Sequence, residues 1–340
     1  MNYSNSSNYH NPAIYIWLLT ITAMVLLIIV IGGLTRLTDS GLSITKWQLF
    51  SGLLPPLNHN DWIFYFDLYK EIPEFKLQNF NMNLNEFKII FWWEWAHRFL
   101  GRLIGLGFLI PLIYFSFKIK ISRLLSFYII FFLICFQGFI GWYMVSSGLD
   151  NRVDVSHFRL SIHLLIAFII LSLIFWNYLK LNSNINVLDK LNPIIPFLFL
   201  VLIFIQIIIG AFVSGMDAGK IYNSWPLMGN SYFPDDSNFE NLFTLSAFSD
   251  PSIVQFMHRN LAYIIGASYL LIFYKIYKNK MYNFYYSINL LGCFIILQII
   301  FGVLTVIYGA QIYIASMHQI SSIFLVSSCI YFLYKNTKFN

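Results

Sequence analysis

The stretch Glu94-Trp95-Ala96-His97-Arg98-Phe99-Leu100-Gly101-Arg102 opens a long apolar run that continues through Ile110 and Leu112. A run of this length reads as a membrane-spanning helix. Ionisable residues in such a segment usually face a bundle interior and mark function. On a helix Glu94 and His97, three apart, share a face, while Arg98 and Arg102, four apart, form a row beside them. Gly101 and Gly105 leave that wall bare enough for something flat to approach the backbone. A ring metal ligated by His97, with acidic side chains near the arginines, uses every one of these residues. The stretch therefore reads as a haem site.

Composition places the rest of the chain around that helix. A mean hydropathy of +0.67 with only 11% charged residues in 340 excludes an ordinary soluble domain and predicts a multi-pass membrane protein. The net charge of +6 reads as loop bias that sets orientation, not as a nucleic-acid footprint. Cys135, Cys293 and Cys329 all fall in apolar runs without a CxxC neighbour, which supports neither a disulfide framework nor a zinc site.

Eight spans are expected, near 13–34, 91–117, 124–146, 158–179, 194–214, 254–277, 284–308 and 314–334. Between the first two, Trp62, Phe64, Phe66, Tyr69 and Phe75 alternate with charges, predicting short amphipathic helices on the membrane surface. The connections around Lys118/Lys120/Arg123, Lys180/Lys190 and Lys275/Lys278/Lys280, with Lys335 and Lys338 in the tail, are basic. By the positive-inside rule both termini are cytoplasmic, and the loops 35–88 and 215–253 lie outside. The expected division is a cytoplasmic tail (1–12), a four-helix half (13–180), a cytoplasmic linker (181–193) and a second four-helix half (194–340).

The halves repeat. Gly32/Gly210, Asp39/Asp217, Gly41/Gly219 and Trp47/Trp225 align at one offset; His97-Arg98 matches His258-Arg259, Gln137 and Gly141 match Gln298 and Gly302, and His163 matches His318. The fold expected is an all-α integral membrane protein with eight transmembrane helices in two pseudo-twofold-related four-helix bundles. One histidine near a helix end is ordinarily an interfacial residue satisfied by water or headgroups. Four at repeat-related positions, one pair per bundle, suit axial ligation of haem iron by His97 with His163 and by His258 with His318. His10, His59 and His157 have no repeat partner and are read as non-ligands. Arg98, Arg102 and Arg259 are candidates for pairing with haem propionates, against a bland role at lipid headgroups. Gly32, Gly33, Gly41, Gly215 and Gly219 are read as structural. The halves differ where Glu94 meets Gln255, Gly101 meets Ala262 and Arg102 meets Tyr263. A carboxylate in a dry site can take a proton or stabilise a developing cation, which gives the first half the chemistry and the second the electrons. The competing reading of Glu94 is a partner for Arg98 or a helix-start charge.

The stretches Tyr69–Lys76, Met82–Arg102, Gly210–Gly219 and Tyr222–Pro226, with His258-Arg259 and His318-Gln319, resemble the haem A synthase family over nearly the whole chain. The resemblance is to the branch shared by mitochondria and some bacteria, which lacks an outer-loop cysteine pair. It implies an eight-helix oxidoreductase acting on a CH group, converting a methyl of haem O to the formyl of haem A, in two oxidations, for cytochrome oxidase assembly. It further implies that His97 and His163 flank the substrate haem, that Glu94 is the catalytic carboxylate, and that His258 and His318 hold haem b. Expected partners are haem O synthase and cytochrome oxidase assembly factors, an electron donor and the lipid bilayer, with no nucleic acid. The N-terminus has no basic import sequence, so the expected location is a bacterial cytoplasmic (inner) membrane. The alternative function is a non-enzymatic dihaem cytochrome b relaying electrons from quinol, which accounts for the histidines and the repeat but not for the Glu94/Gln255 difference. A transporter is disfavoured because no span is broken at the midplane. The sequence leaves open whether both first-half histidines ligate the substrate haem at once.

Overall fold

The computed structural model describes residues 12–47, 51–150, 152–181 and 190–337. The expected tail through residue 11 with His10, residues 182–189 of the expected linker, and Lys338 lie outside them. The α-helices in chain order are α1 (Pro12–Leu37), α2 (His59–Lys70), α3 (Pro73–Leu77), α4 (Leu84–Ser116) and α5 (Ile121–Ser146), then α6 (His157–Leu181), α7 (Ile194–Gly215), α8 (Pro251–Lys278), α9 (Tyr285–Ile307) and α10 (Ile312–Lys335). All except α2 and α3 are long and apolar enough to cross a membrane, which gives the eight expected spans among the described residues. Among the described residues no strand forms beyond one bridge between Met228 and Ser231. The chain packs as two compact units, residues 1–170 and 171–340.

In the first unit α4 packs on α1 and α5. The α4 helix begins earlier than its apolar run because Asn83 and Glu86 form a reciprocal capping box. The Asn83 side chain accepts from Asn85 N (2.9 Å) and Glu86 N (3.1 Å), while Glu86 accepts from Asn83 N at 2.8 Å. His97 therefore lies more than three turns inside α4, not at its mouth as the apolar run suggests. The added turns support the loop. Trp62, Phe66 and Tyr69 of α2 bury themselves with Phe87, Ile90 and Phe91 of α4 and with Leu42 and Ile44. Each fully buried ring of this kind contributes roughly 1.5–3 kcal/mol. Two short helices form in this loop as expected, and the apolar side chains of α2 pack on α4.

In the second unit α7 packs on α8 and α10, and α9 on α10. Asp250 caps α8 by accepting from Ser252 N (2.9 Å) and Ile253 N (3.1 Å), with Pro251 following at the first helical position. The repeat is visible in the backbone after α1 and α7. Thr38 N donates to Leu34 O and Asp39 N to Arg36 O; Met216 N donates to Phe212 O and Asp217 N to Ser214 O. Asp39 (φ 48°) and Asp217 (φ 50°) both adopt the left-handed conformation, which Asp tolerates better than most residues.

Candidate functional site

Each unit brings one pair of the repeat-related histidines together. His97 of α4 and His163 of α6 have ring centroids 6.3 Å apart with planes at 77°. His258 of α8 and His318 of α10 repeat this at 6.3 Å and 83°. Two metal–imidazole bonds of about 2 Å, with about 1 Å more from each nitrogen to its ring centre, span roughly 6 Å, so each pair accommodates one metal between its rings. Among the described residues no cluster of three or more His, Cys, Asp or Glu forms. A bare zinc ion would take further protein ligands, whereas a metal already held by a macrocycle needs only two. The donor set fits a haem.

Glycines seat all four imidazoles. A Cβ on Gly32 would lie 3.0 Å from His97 Nε2; on Gly141, 3.1 Å from His163 Cε1; on Gly210, 2.9 Å from His258 Cε1; and on Gly302, 3.1 Å from His318 Cε1. These glycines let α1, α5, α7 and α9 approach the rings closely. Gly32 is structural, as its sequence context suggests, in this specific sense. The backbone carbonyls of three of the histidines also receive a side-chain amide. Gln137 donates to His163 O at 2.9 Å and Gln206 to His258 O at 2.9 Å. With its amide nitrogen facing His318, Gln298 donates to His318 O at 3.0 Å.

Glu94 is buried at 2% exposure one turn from His97. Its Oε2 accepts from Ser43 Oγ (2.7 Å) and Ile44 N (2.6 Å), and its Oε1 from Arg98 at 2.5 Å. Arg98 also donates to Ile44 O at 2.8 Å and to Lys46 O at 3.5 Å. The second unit builds the same clamp: Arg259 donates to Tyr222 O at 2.9 Å and Ser224 O at 2.9 Å, and Gln255 donates to Tyr222 O at 3.1 Å. Thus Arg98 and Arg259 tie α4 and α8 to the loops that follow α1 and α7. Arg259 Nε is buried without a partner, an orphan donor that an acidic substituent of a bound ring would satisfy. Arg98 and Arg102 line a cavity with Lys46, Tyr65, Phe91 and Trp95. The cavity is small, about 20 Å³, and its cations suit a single acidic group.

The family model of COX15-CtaA, cytochrome oxidase assembly protein, matches residues 15–330. The chain belongs to this family. It is similar to proteins named Heme A synthase from Pelagibacter ubique (50% identical over 335 residues, 98% of this chain and 99% of that one), Rickettsia bellii (45% over 336 residues, 94% and 98%) and Flavobacterium johnsoniae (40% over 338 residues, 96% and 99%).

Several features of this COX15-CtaA member escape sequence reading. Ser43 and the Ile44 amide are unremarkable residues that meet Glu94 only through the loop's path. Gln206 has Ile28 as its repeat counterpart, so a search for matching polar residues passes over it. Glu74 of α3 is a second buried carboxylate, 3% exposed, close to the fully buried Tyr69. Desolvation raises its pKa to about 8; a hydrogen bond from Tyr69 opposes the rise, and the charges of Asp39, Glu94 and Asp154 add to it. His157 is buried beside Phe158 and does not join the His97–His163 pair. His59 starts α2 in the loop.

Proposed function

We propose that this chain is a haem A synthase, oxidising a methyl group of haem O to the formyl group of haem A. The observation that carries the reading is that the two imidazole pairs share one centroid spacing, yet the buried residue one turn before the first histidine of each pair is Glu94 in one unit and Gln255 in the other. His97 and His163 flank the substrate haem; His258 and His318 hold haem b, which supplies electron-transfer chemistry when bound. Arg98, Arg102 and Arg259 pair with propionates, and Arg98 and Arg259 hold the loops over the sites.

Net conversion of methyl to formyl removes four electrons and adds one oxygen atom. It proceeds as two oxidations of one carbon to a geminal diol, which loses water to give the aldehyde. An ionised carboxylate offers about four acceptor positions. Three on Glu94 are filled by Ser43, Ile44 and Arg98, so the group is fixed in place with capacity left to accept one proton or face a developing positive charge. Pigment extracted from the purified protein tests the reading. Haem O or haem A beside haem B supports the synthase; haem B alone supports an electron-relaying cytochrome.

The proposed location is a bacterial cytoplasmic membrane with both termini cytoplasmic, a reading that the basic short loops and the bacterial relatives support. A membrane-impermeant thiol label should reach a cysteine introduced at Asn58 from outside and one at Asn279 only from the cytoplasm. The opposite pattern overturns the orientation.

A further inference from the structure

The four helices that seat the histidines carry a common spacing with one exception. Gln137 precedes Gly141, Gln206 precedes Gly210 and Gln298 precedes Gly302, each by four residues, but Ile28 precedes Gly32. Residues four apart share a helix face, so each glutamine lies one turn from the glycine under its imidazole. An amide within a membrane helix is costly unless it is satisfied by a neighbouring helix. Their amide nitrogens donate to the histidine carbonyls: Gln137 to His163 O, Gln206 to His258 O and Gln298 to His318 O. Two also lie beside the rings, with Gln206 Nε2 3.4 Å from His258 Nε2 and the Gln298 amide nitrogen 2.9 Å from His318 Nδ1. A metal-bound imidazole carries N–H on its free nitrogen and cannot accept there, so the backbone carbonyls are what these amides hold. Gln137 Oε1 and His163 Nδ1 are both buried without a partner, as are Gln206 Oε1 and His258 Nδ1.

Opposite His97 the arrangement is different. Ile28 packs its Cδ1 toward Gly101, at 3.5 Å from where a Cβ would sit, and offers no hydrogen bond. The His97 ring is also turned differently. Its Nε2 is the atom nearest Gly32, whereas the other three rings present Cε1 to their glycines.

We propose that Gln137, Gln206 and Gln298 are positioning residues that hold His163, His258 and His318, and that Ile28 leaves His97 the exchangeable axial ligand of the substrate haem. A resident haem needs two fixed ligands, and the second unit supplies an amide for each. A substrate haem must arrive and a product haem must leave, and the first unit fixes one ligand while freeing the other. Groups behind a metal-bound imidazole typically change metal affinity by about 10- to 100-fold.

The inference rests on the proposed haem ligation, and its test separates the two. The purified haem-loaded protein is mixed with excess apomyoglobin, and the transfer of haem B and of haem O or A is followed separately, with the low-spin electron paramagnetic resonance signals recorded beforehand. Haem O or A should leave faster than haem B from the unmodified protein. Gln206→Ile and Gln298→Ile should speed haem B release by about 10- to 100-fold and alter its resonance signal. Isoleucine already occupies the position equivalent to Gln206 in the first unit, so that variant should fold. Ile28→Gln should slow release of haem O or A by roughly tenfold without changing haem B release. Folded, haem-bearing Ile28→Gln and Gln206→Ile proteins with unaltered release rates and signals would overturn the inference alone. A protein that carries no haem at all would overturn the ligation on which it stands.

Discussion

Arg98 and Arg259 grip their loops through equivalent carbonyls, Ile44 and Lys46 in one unit, Tyr222 and Ser224 in the other. The residue one turn before each arginine then departs from the repeat. Glu94 gives Arg98 a counter-ion, while Gln255 adds one more hydrogen bond to Tyr222 O and leaves Arg259 among carbonyl dipoles. The loop clamp therefore does not require a carboxylate. Its presence in the first unit calls for another reason, and proximity to His97 provides one.

The largest effect expected is on the histidines common to both units. His258→Ala and His318→Ala should each lose the tightly held haem b, because one remaining imidazole leaves the iron half-ligated. Haem B content measured after purification decides this, and unchanged content and spectrum in both variants would remove the second-unit assignment.

Next comes the carboxylate itself. Glu94→Gln should leave a folded, haem-bearing protein, since the second unit carries glutamine in the same clamp. The cost of losing an acid–base or electrostatic group is roughly 10²- to 10⁴-fold in rate. Pigment analysis should show haem O or a hydroxylated intermediate accumulating. A normal yield of haem A would reduce Glu94 to a partner for Arg98, with Ser43 and Ile44 as its other dependants.

The two loops should respond to pH with opposite sign. Glu74 titrates near 8 in the folded protein against an ordinary value of 4.5. Between these values the folded state keeps a proton that the unfolded state has released, so stability falls as pH rises through that window. Asp235 in the other loop is fully exposed and held below the usual carboxylate range by the Ser231 hydroxyl and the Asn230 amide. Its contribution is present above its ordinary pKa and fades as pH falls toward the lowered value. Hydrogen exchange, corrected for intrinsic rates, should show protection across residues 62–91 weakening from about pH 5 to 8. Glu74→Gln should flatten that dependence; an equal slope in the variant would place the titration elsewhere.

The smallest effect expected is from Gln255→Glu. It recreates beside Arg259 the pair that Glu94 makes with Arg98, and turnover should remain near that of the unmodified protein. A large loss of haem A formation would mean that the second unit does more than carry electrons.

Much of this was legible in the chain. The eight spans follow from hydropathy because a helix in lipid must satisfy its backbone internally and present apolar side chains over its length. The four histidines follow from the repeat, since Gly32/Gly210 and Gly141/Gly302 recur with them. The start of α4 was less legible. A reading by apolarity begins it near 91, yet the Asn83/Glu86 box that sets Leu84 as its first residue lies in polar sequence. Glu74 was illegible as a buried group, because five residues of α3 carry no periodicity that distinguishes inside from outside.

By itself, then, the sequence determined the membrane class, the repeat, the paired histidines and the Glu94/Gln255 difference, all of which are properties of residue type and spacing along one helix at a time. Only the tertiary structure decided that each pair converges to 6.3 Å, that glycines from neighbouring helices seat the rings, and that Ser43 and Ile44 hold Glu94. It also decided that the Gln137, Gln206 and Gln298 amides reach histidine carbonyls while Ile28 packs toward Gly101. These depend on which faces of separate helices meet, and hydrogen bonds between helices or from a loop leave no period in the chain.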